Sequence, residues 1–178
     1  MSTETPIRTW SPPATIEKSV GQSIPRVEDE RLLKGQGMFA DDVWMHRMGY
    51  VHFVRSPHAH AAILDVDVSK ALQVEGVYAT LTGEEVRRLT DRYPQIAPEP
   101  GGRIKDYCLA VGKVRFAGEP VAAVMAETRE LARDAAALVE VDYAPLPAVT
   151  DAVEAAADDA PVLHTEIGSN VGWHGLYD

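Results

Sequence analysis

Apolar and polar positions alternate along several short stretches of this chain, and the alternation predicts strands. Tyr50-Val51-His52-Phe53-Val54-Arg55 places Val51 and Phe53 on one face of an extended segment and His52 and Val54 on the other. The segment breaks at Ser56-Pro57. Residues 62–68 alternate apolar and acidic side chains, the pattern of a half-buried strand, and 77–81 and 139–143 read as two more strands. Pro145 and Pro147 end the last of these. The run 121–126 is apolar throughout, which predicts a central strand, and 108–116 reads as short strands around Gly112.

Helical signals fall between these strands. Ser69 is a good N-cap for a short helix over 70–74 that stops at Gly76. Thr82 with Glu85 three residues on has the spacing of a capping box and opens a helix over Gly83–Leu89. Thr128 caps a helix over 129–138, where Leu131, Ala135 and Leu138 are spaced for one buried face. The adjacent acids Asp41 and Asp42 point apart in an extended segment, so turn formation and capping suit them better than cation binding. Residues 93–102 hold three prolines and two glycines with no helix and no Lys-Ser or Lys-Thr behind them, so they read as a connection and not a phosphate cradle.

Three stretches follow from this pattern. Residues 1–25 carry four prolines and little periodicity, and read as an extended arm whose Ile7, Trp10 and Ile16 would lie on a partner. Residues 26–150 form the folded α/β (α+β) part, a mixed sheet with short helices. Residues 151–178 are an acidic extension with a helical segment near 151–157, and Trp173 and Tyr177 close to its end predict packing on another polypeptide.

Composition narrows the function. The chain has 178 residues and a formal charge of −10, with no Lys or Arg after Arg133, so its surface repels phosphate backbones and nucleic acid is not an expected partner. A single cysteine, Cys108, cannot form an intramolecular disulfide, which agrees with a reducing compartment. With no apolar run of membrane-spanning length and a polar N-terminal stretch, the expectation is a cytoplasmic protein that does not enter a membrane.

Candidate chemistry gathers just after the first strand. Arg55, His58 and His60 stand together there, and three readings compete for the histidines. Two imidazoles at i and i+2 could supply two ligands of a metal site, but His46, His164 and His174 lack the spacing to complete it. Either ring could act as a general base near neutral pH, in an independent enzyme with Glu119, yet no nucleophile is marked beside it. In the third reading the turn ends a strand and presents hydrogen-bonding groups to a neighbouring element or subunit. Arg55, His58, His60, Trp173 and Tyr177 are accordingly the candidate partner contacts, with no catalytic, cofactor or metal residue assigned. Glu119 is placed to pair with Arg115.

Several motifs in fixed order also carry a family resemblance. They are Arg26-Val27-Glu28-Asp29 with Leu32-Leu33-Lys34-Gly35, Phe39-Ala40-Asp41-Asp42, Phe53-Val54-Arg55-Ser56-Pro57-His58-Ala59-His60-Ala61 and Leu81-Thr82-Gly83. Lys113-Val114-Arg115-Phe116-Ala117-Gly118-Glu119-Pro120-Val121-Ala122 and the stretch 139–149 complete the set. Over residues 26–171 the chain resembles the N-terminal α/β hammerhead domain of the molybdenum hydroxylases, the family of xanthine dehydrogenase, aldehyde oxidase and the large subunit of aerobic carbon monoxide dehydrogenase. It departs from the family at residues 44–48, where His46-Arg47-Met48-Gly49 stands in place of a common proline-glycine turn.

The resemblance implies a hammerhead subunit or N-terminal fragment of a hydroxylase that takes oxygen from water. Numbering from Met1 favours a separate gene product. Its partners would be a catalytic molybdopterin-binding subunit, an iron–sulfur subunit and an FAD subunit. The molybdenum cofactor, the 2Fe-2S clusters and FAD would sit in those chains and none in this one. A free-standing binding or assembly module is the alternative.

Overall fold

The structure, a computed structural model, describes residues 21–93 and 96–175. The chain divides into two compact units, Met1–Trp44 and Met45–Asp178, so the boundary falls inside the stretch expected to be one folded part. In the first unit, helix α1 (Asp29–Leu33) is opened by Asp29, whose carboxylate accepts the Arg26 N–H at 2.8 Å. A 3-10 turn over Ala40–Asp42 follows, with Asp42 accepting the Phe39 N–H at 2.9 Å. Capping is thus the role of Asp42, as its position in an extended stretch predicts.

Among the described residues, the second unit holds six strands in two antiparallel sheets of three. Strands β1 (Tyr50–Arg55), β5 (Pro120–Ala126) and β3 (Val77–Thr82) form one sheet, with β5 in the middle. Strands β4 (Lys113–Val114), β2 (Ala61–Asp67) and β6 (Glu140–Pro145) form the other, with β2 in the middle. The expected α/β class with short helices holds, and the strands resolve into two sheets in which every pairing is antiparallel. Residues 108–116 give only the two-residue β4. Gly112 there takes φ +72° and its carbonyl accepts the Ile63 N–H, while Ala110 donates to Pro120, so single bonds replace a longer ladder.

Helix α4 (Arg129–Ala136) begins where expected, with the Thr128 hydroxyl accepting the Leu131 N–H at 3.1 Å. Its buried face is Ala132, Ala135 and Ala136, so of the predicted Leu131, Ala135 and Leu138 only Ala135 is fully buried; Leu131 is half-buried and Leu138 is 42% exposed. Alanines let the helix axis approach the sheet closely, and Ala135 and Ala136 pack with Val124 of β5 and Ala71 of α2 (Ser69–Leu72). Ser69 is the first residue of α2 and not its cap. Asp67 accepts the Ser69 N–H at 2.8 Å, so the capping role falls two residues earlier. Helix α3 (Gly83–Leu89) opens with the predicted capping box: the Glu85 carboxylate accepts the Thr82 N–H at 2.8 Å, and the Thr82 hydroxyl accepts the Glu85 N–H.

The extension carries α5 (Ala152–Ala155), capped by Asp151, whose carboxylate accepts two backbone N–H groups. Asn170 then ties the extension to itself, donating to Ala155 and Pro161 and accepting from Leu163. Lys113 of β4 donates to the Leu163 carbonyl at 2.6 Å, and Gly101 donates to Gly172 at 2.7 Å. Among the described residues, no helix is long and apolar enough to cross a membrane.

Gly83 shows how tightly α3 sits. A Cβ there would lie 1.9 Å from the Ala110 carbonyl oxygen, a backbone atom that cannot swing aside. Gly83→Ala is therefore expected to lower stability by about 3 kcal/mol or more, the upper end for overpacking, measured by urea denaturation of the chain.

Candidate functional site

Two facing turns form the first half of the site. Strand β1 ends in an irregularity between Val54 and Arg55, and the chain then folds through Ser56, which is buried. Its hydroxyl accepts the His58 N–H at 3.0 Å, and its backbone exchanges bonds with the 115–119 turn: Ser56 donates to Glu119 and Gly118 donates to Ser56. Gly118 has φ +92°, a conformation in which glycine avoids the Cβ clash. Arg55 closes the pair by donating from Nη1 to the Gly118 carbonyl at 2.8 Å, with its guanidinium 5.8 Å from the centre of the Phe53 ring.

The histidines of this turn point into their own domain. His60 is buried, and its Nδ1 lies 2.7 Å from the Pro147 carbonyl, so Nδ1 carries the proton and donates. His58 is half-buried, with its ring edge-on to Tyr143 at 5.0 Å. Glu119 is tied to Arg115, so His58, His60 and Glu119 each have a different neighbour and do not converge on one point. Among the described residues, no three His, Cys, Asp or Glu side chains come together as metal ligands. Of the five candidate contacts, Arg55 and Trp173 are exposed, the latter at 45%. Tyr177 lies outside the described residues, as does the part of the arm that carries Ile7, Trp10 and Ile16.

Behind the turns lies a charged cluster. The Glu119 carboxylate accepts the Arg115 N–H, and the largely buried Arg115 guanidinium lies 3.7 Å from Glu119, 3.7 Å from Asp106 and 3.9 Å from Glu166. One cation thus joins the 115–119 turn, the 106 loop and the extension. Burial pushes the Glu119 carboxyl above its ordinary value, against the lowering effect of its Arg115 contacts. Burial and, secondarily, Arg115 hold His164 below the ordinary imidazole value.

The second half of the site was not singled out from the sequence. On β5, Ala122, Val124 and Ala126 face α4, so Ala123 and Met125 face the other way. Val51 and Phe53 of β1 pair with Met125 and Ala123, and Ala79 and Leu81 of β3 pair with the same two residues. The six side chains line an apolar groove of about 600 Å³ walled by Tyr93, Cys108 and Leu109. Val51 and Phe53 remain 52% and 42% exposed. The alternation of Val51 and Phe53 was the available signal; that their side would be the one α4 leaves open was not.

Fold and site together define an α/β hammerhead domain. Residues 34–147 match the family model described as aldehyde oxidase and xanthine dehydrogenase, a/b hammerhead domain, and the chain belongs to that family. It is 40% identical, over 95% of its length, to the carbon monoxide dehydrogenase large chain of Afipia carboxidovorans, of which it covers 21%. Among solved structures it resembles a Cu,Mo-CO dehydrogenase at a TM-score of 0.73 and 41% identity, covering 88% of this chain and 19% of that one. It likewise resembles quinoline 2-oxidoreductase from Pseudomonas putida 86 at a TM-score of 0.75 and 38% identity, covering 88% and 20%. The chain spans about a fifth of the length of these proteins.

The Glu119 environment makes a pH prediction. A carboxyl whose folded pKa is raised contributes its stability fully below the ordinary value of 4.5 and loses it as pH rises through the folded value. Glu119→Gln keeps an oxygen for the Arg115 N–H and cannot ionise, so its stability curve above that pH is flatter than the parent's. Glu119→Ala removes the acceptor and costs about 1–3 kcal/mol. Urea midpoints from pH 4 to 8 measure both.

Proposed function

We propose that this chain is the hammerhead part of a molybdenum-dependent hydroxylase or dehydrogenase, supporting a catalytic molybdopterin-binding polypeptide that oxidises a small substrate with oxygen drawn from water. The observation that carries this reading is one of proportion. The family match spans 34–147, while the relatives are about five times longer than the whole chain, so their remaining length is available for the redox centre. A carbon monoxide dehydrogenase and a quinoline oxidoreductase share the hammerhead although a diatomic gas and a bicyclic ring have no shape in common. Substrate choice therefore belongs to another part of the assembly.

The described residues offer no ligand set for an iron–sulfur cluster. Cys108 is one exposed thiol where an iron–sulfur cluster needs several, and no three potential ligands converge among the described residues. The molybdenum cofactor is accordingly assigned to the catalytic polypeptide, and the 2Fe-2S clusters and FAD to further chains, in a cytoplasmic complex. The hammerhead contributes shape and support, with Arg55, Trp173 and Tyr177 among its contacts.

The test is native purification from the source organism through a tag on this chain. A larger polypeptide is expected to travel with it, or the tag to run on one longer polypeptide, and elemental analysis is expected to find molybdenum and iron. Recovery of the chain alone and free of molybdenum overturns the reading and supports a free-standing binding module.

A further inference from the structure

We infer that the open face of the β1–β5–β3 sheet is the seat of the catalytic polypeptide, occupied by an apolar helix or strand surface of that chain. The inference rests on the function proposed above and adds to it which face makes the contact. An antiparallel sheet with one face in water carries polar side chains on that face. Here Val51, Phe53, Ala79, Leu81, Ala123 and Met125 occupy it instead, and no charged side chain lines the groove they form.

The cover is half built. Val121, at the start of β5, packs with Ala61, Ala110 and Val114, and Ala123 packs with Val86 and Leu109. Among the described residues, the Gly49 backbone and the Tyr78 ring come near the Met125 side chain, and Val51 and Phe53 stay 52% and 42% exposed. A groove of about 600 Å³ with an apolar floor matches the side chains that an amphipathic element lays into a complementary surface. A small polar ligand would find almost no hydrogen-bonding group on that floor.

Size and charge select the occupant. In the relatives this domain is about a fifth of the polypeptide, so each such domain is accompanied by a far larger folded mass that must meet it somewhere. Two cations edge the groove in a chain whose net charge is −10: Arg55 beside Phe53, and Arg92 whose guanidinium lies 5.4 Å from the ring of Tyr107, next to Cys108. An apolar strip rimmed by carboxylates is the complementary surface. A second copy of this acidic chain would bring the same two cations face to face across a two-fold axis.

Cys108 supplies the test, because it walls the groove, is exposed, and is the only cysteine in the chain. The native complex and the isolated chain are treated with a maleimide, and labelling of the Cys108 peptide is followed by mass spectrometry. Labelling is expected to be about tenfold slower or more in the complex, because access controls thiol reactivity. Phe53→Asp is expected to cut recovery of the larger polypeptide about tenfold, as loss of a central apolar anchor does, while Leu72→Asp, at an exposed position in α2 on the other side of the sheet, leaves it unchanged.

Equal labelling with the larger polypeptide bound overturns the inference and leaves the proposed function standing. Protection in the isolated chain that grows with concentration, with a doubled mass in sedimentation, gives the face to a second copy and overturns it as well. Absence of any complex removes both readings.

Discussion

A strand with apolar side chains on both faces must be covered on both faces, and β5 is that strand. Its run from Val121 to Ala126 cannot lie at an edge, so β1 and β3 take its two sides. Val124 cannot face water, so α4 crosses on a row of alanines narrow enough to reach it. Val121 and Ala123 cannot face water either, so residues 109–114 and the Val86 side of α3 fold over them. Gly83 follows from the same demand, since α3 comes so close to the Ala110 carbonyl that no side chain fits between them. The cover over β5 is thus met inside the domain at Val121 and Ala123. Between Leu109 on one side and Val51 and Phe53 on the other, the covering thins, and the groove lies there.

Features governed by local chemistry were legible in the sequence. The capping box at Thr82 and Glu85, the cap at Thr128, the turn at Ser56 and the central place of β5 each depend on a few neighbouring residues, and each stands where its residues predict. Features governed by distant packing were not. Leu131 and Leu138 have the spacing of a buried helical face, but the sheet lies against Ala132, Ala135 and Ala136, because close approach to Val124 excludes larger side chains. The 108–116 stretch has strand-like composition, yet its hydrogen bonds go to Ile63 and Pro120 one at a time, and only β4 results. The turn at residues 45–48 lies between these cases. Arg47 holds φ +62° there, a conformation that favours the glycine of the usual family turn.

The site divides along the same line. That Arg55, His58 and His60 gather at one turn could be read from the sequence, and the Arg115–Glu119 pairing from its spacing. What the histidine rings do could not, since Pro147 and Tyr143 reach them from strands and turns far along the chain. The recruitment of Asp106 and Glu166 to Arg115 is equally non-local. Alternation placed Val51 and Phe53 on a common side, but which side of a sheet stays open is settled only when register and helix placement are known.

The Arg115 cluster ties the edge of the groove to segments far along the chain. Three carboxylates from three segments approach one largely buried guanidinium, so the 115–119 turn, the 106 loop and the extension meet at a single charge. The backbone bonds between Gly118, Glu119 and Ser56 extend this link to the end of β1, and the bond from Arg55 to Gly118 fixes the cation beside Phe53 at the groove's edge. A contact surface ordered in advance loses little conformational entropy on association, so more of its apolar burial is available for affinity. Removing a charge from this cluster should thus act at a distance, loosening the edge of the groove without touching any residue that lines its floor.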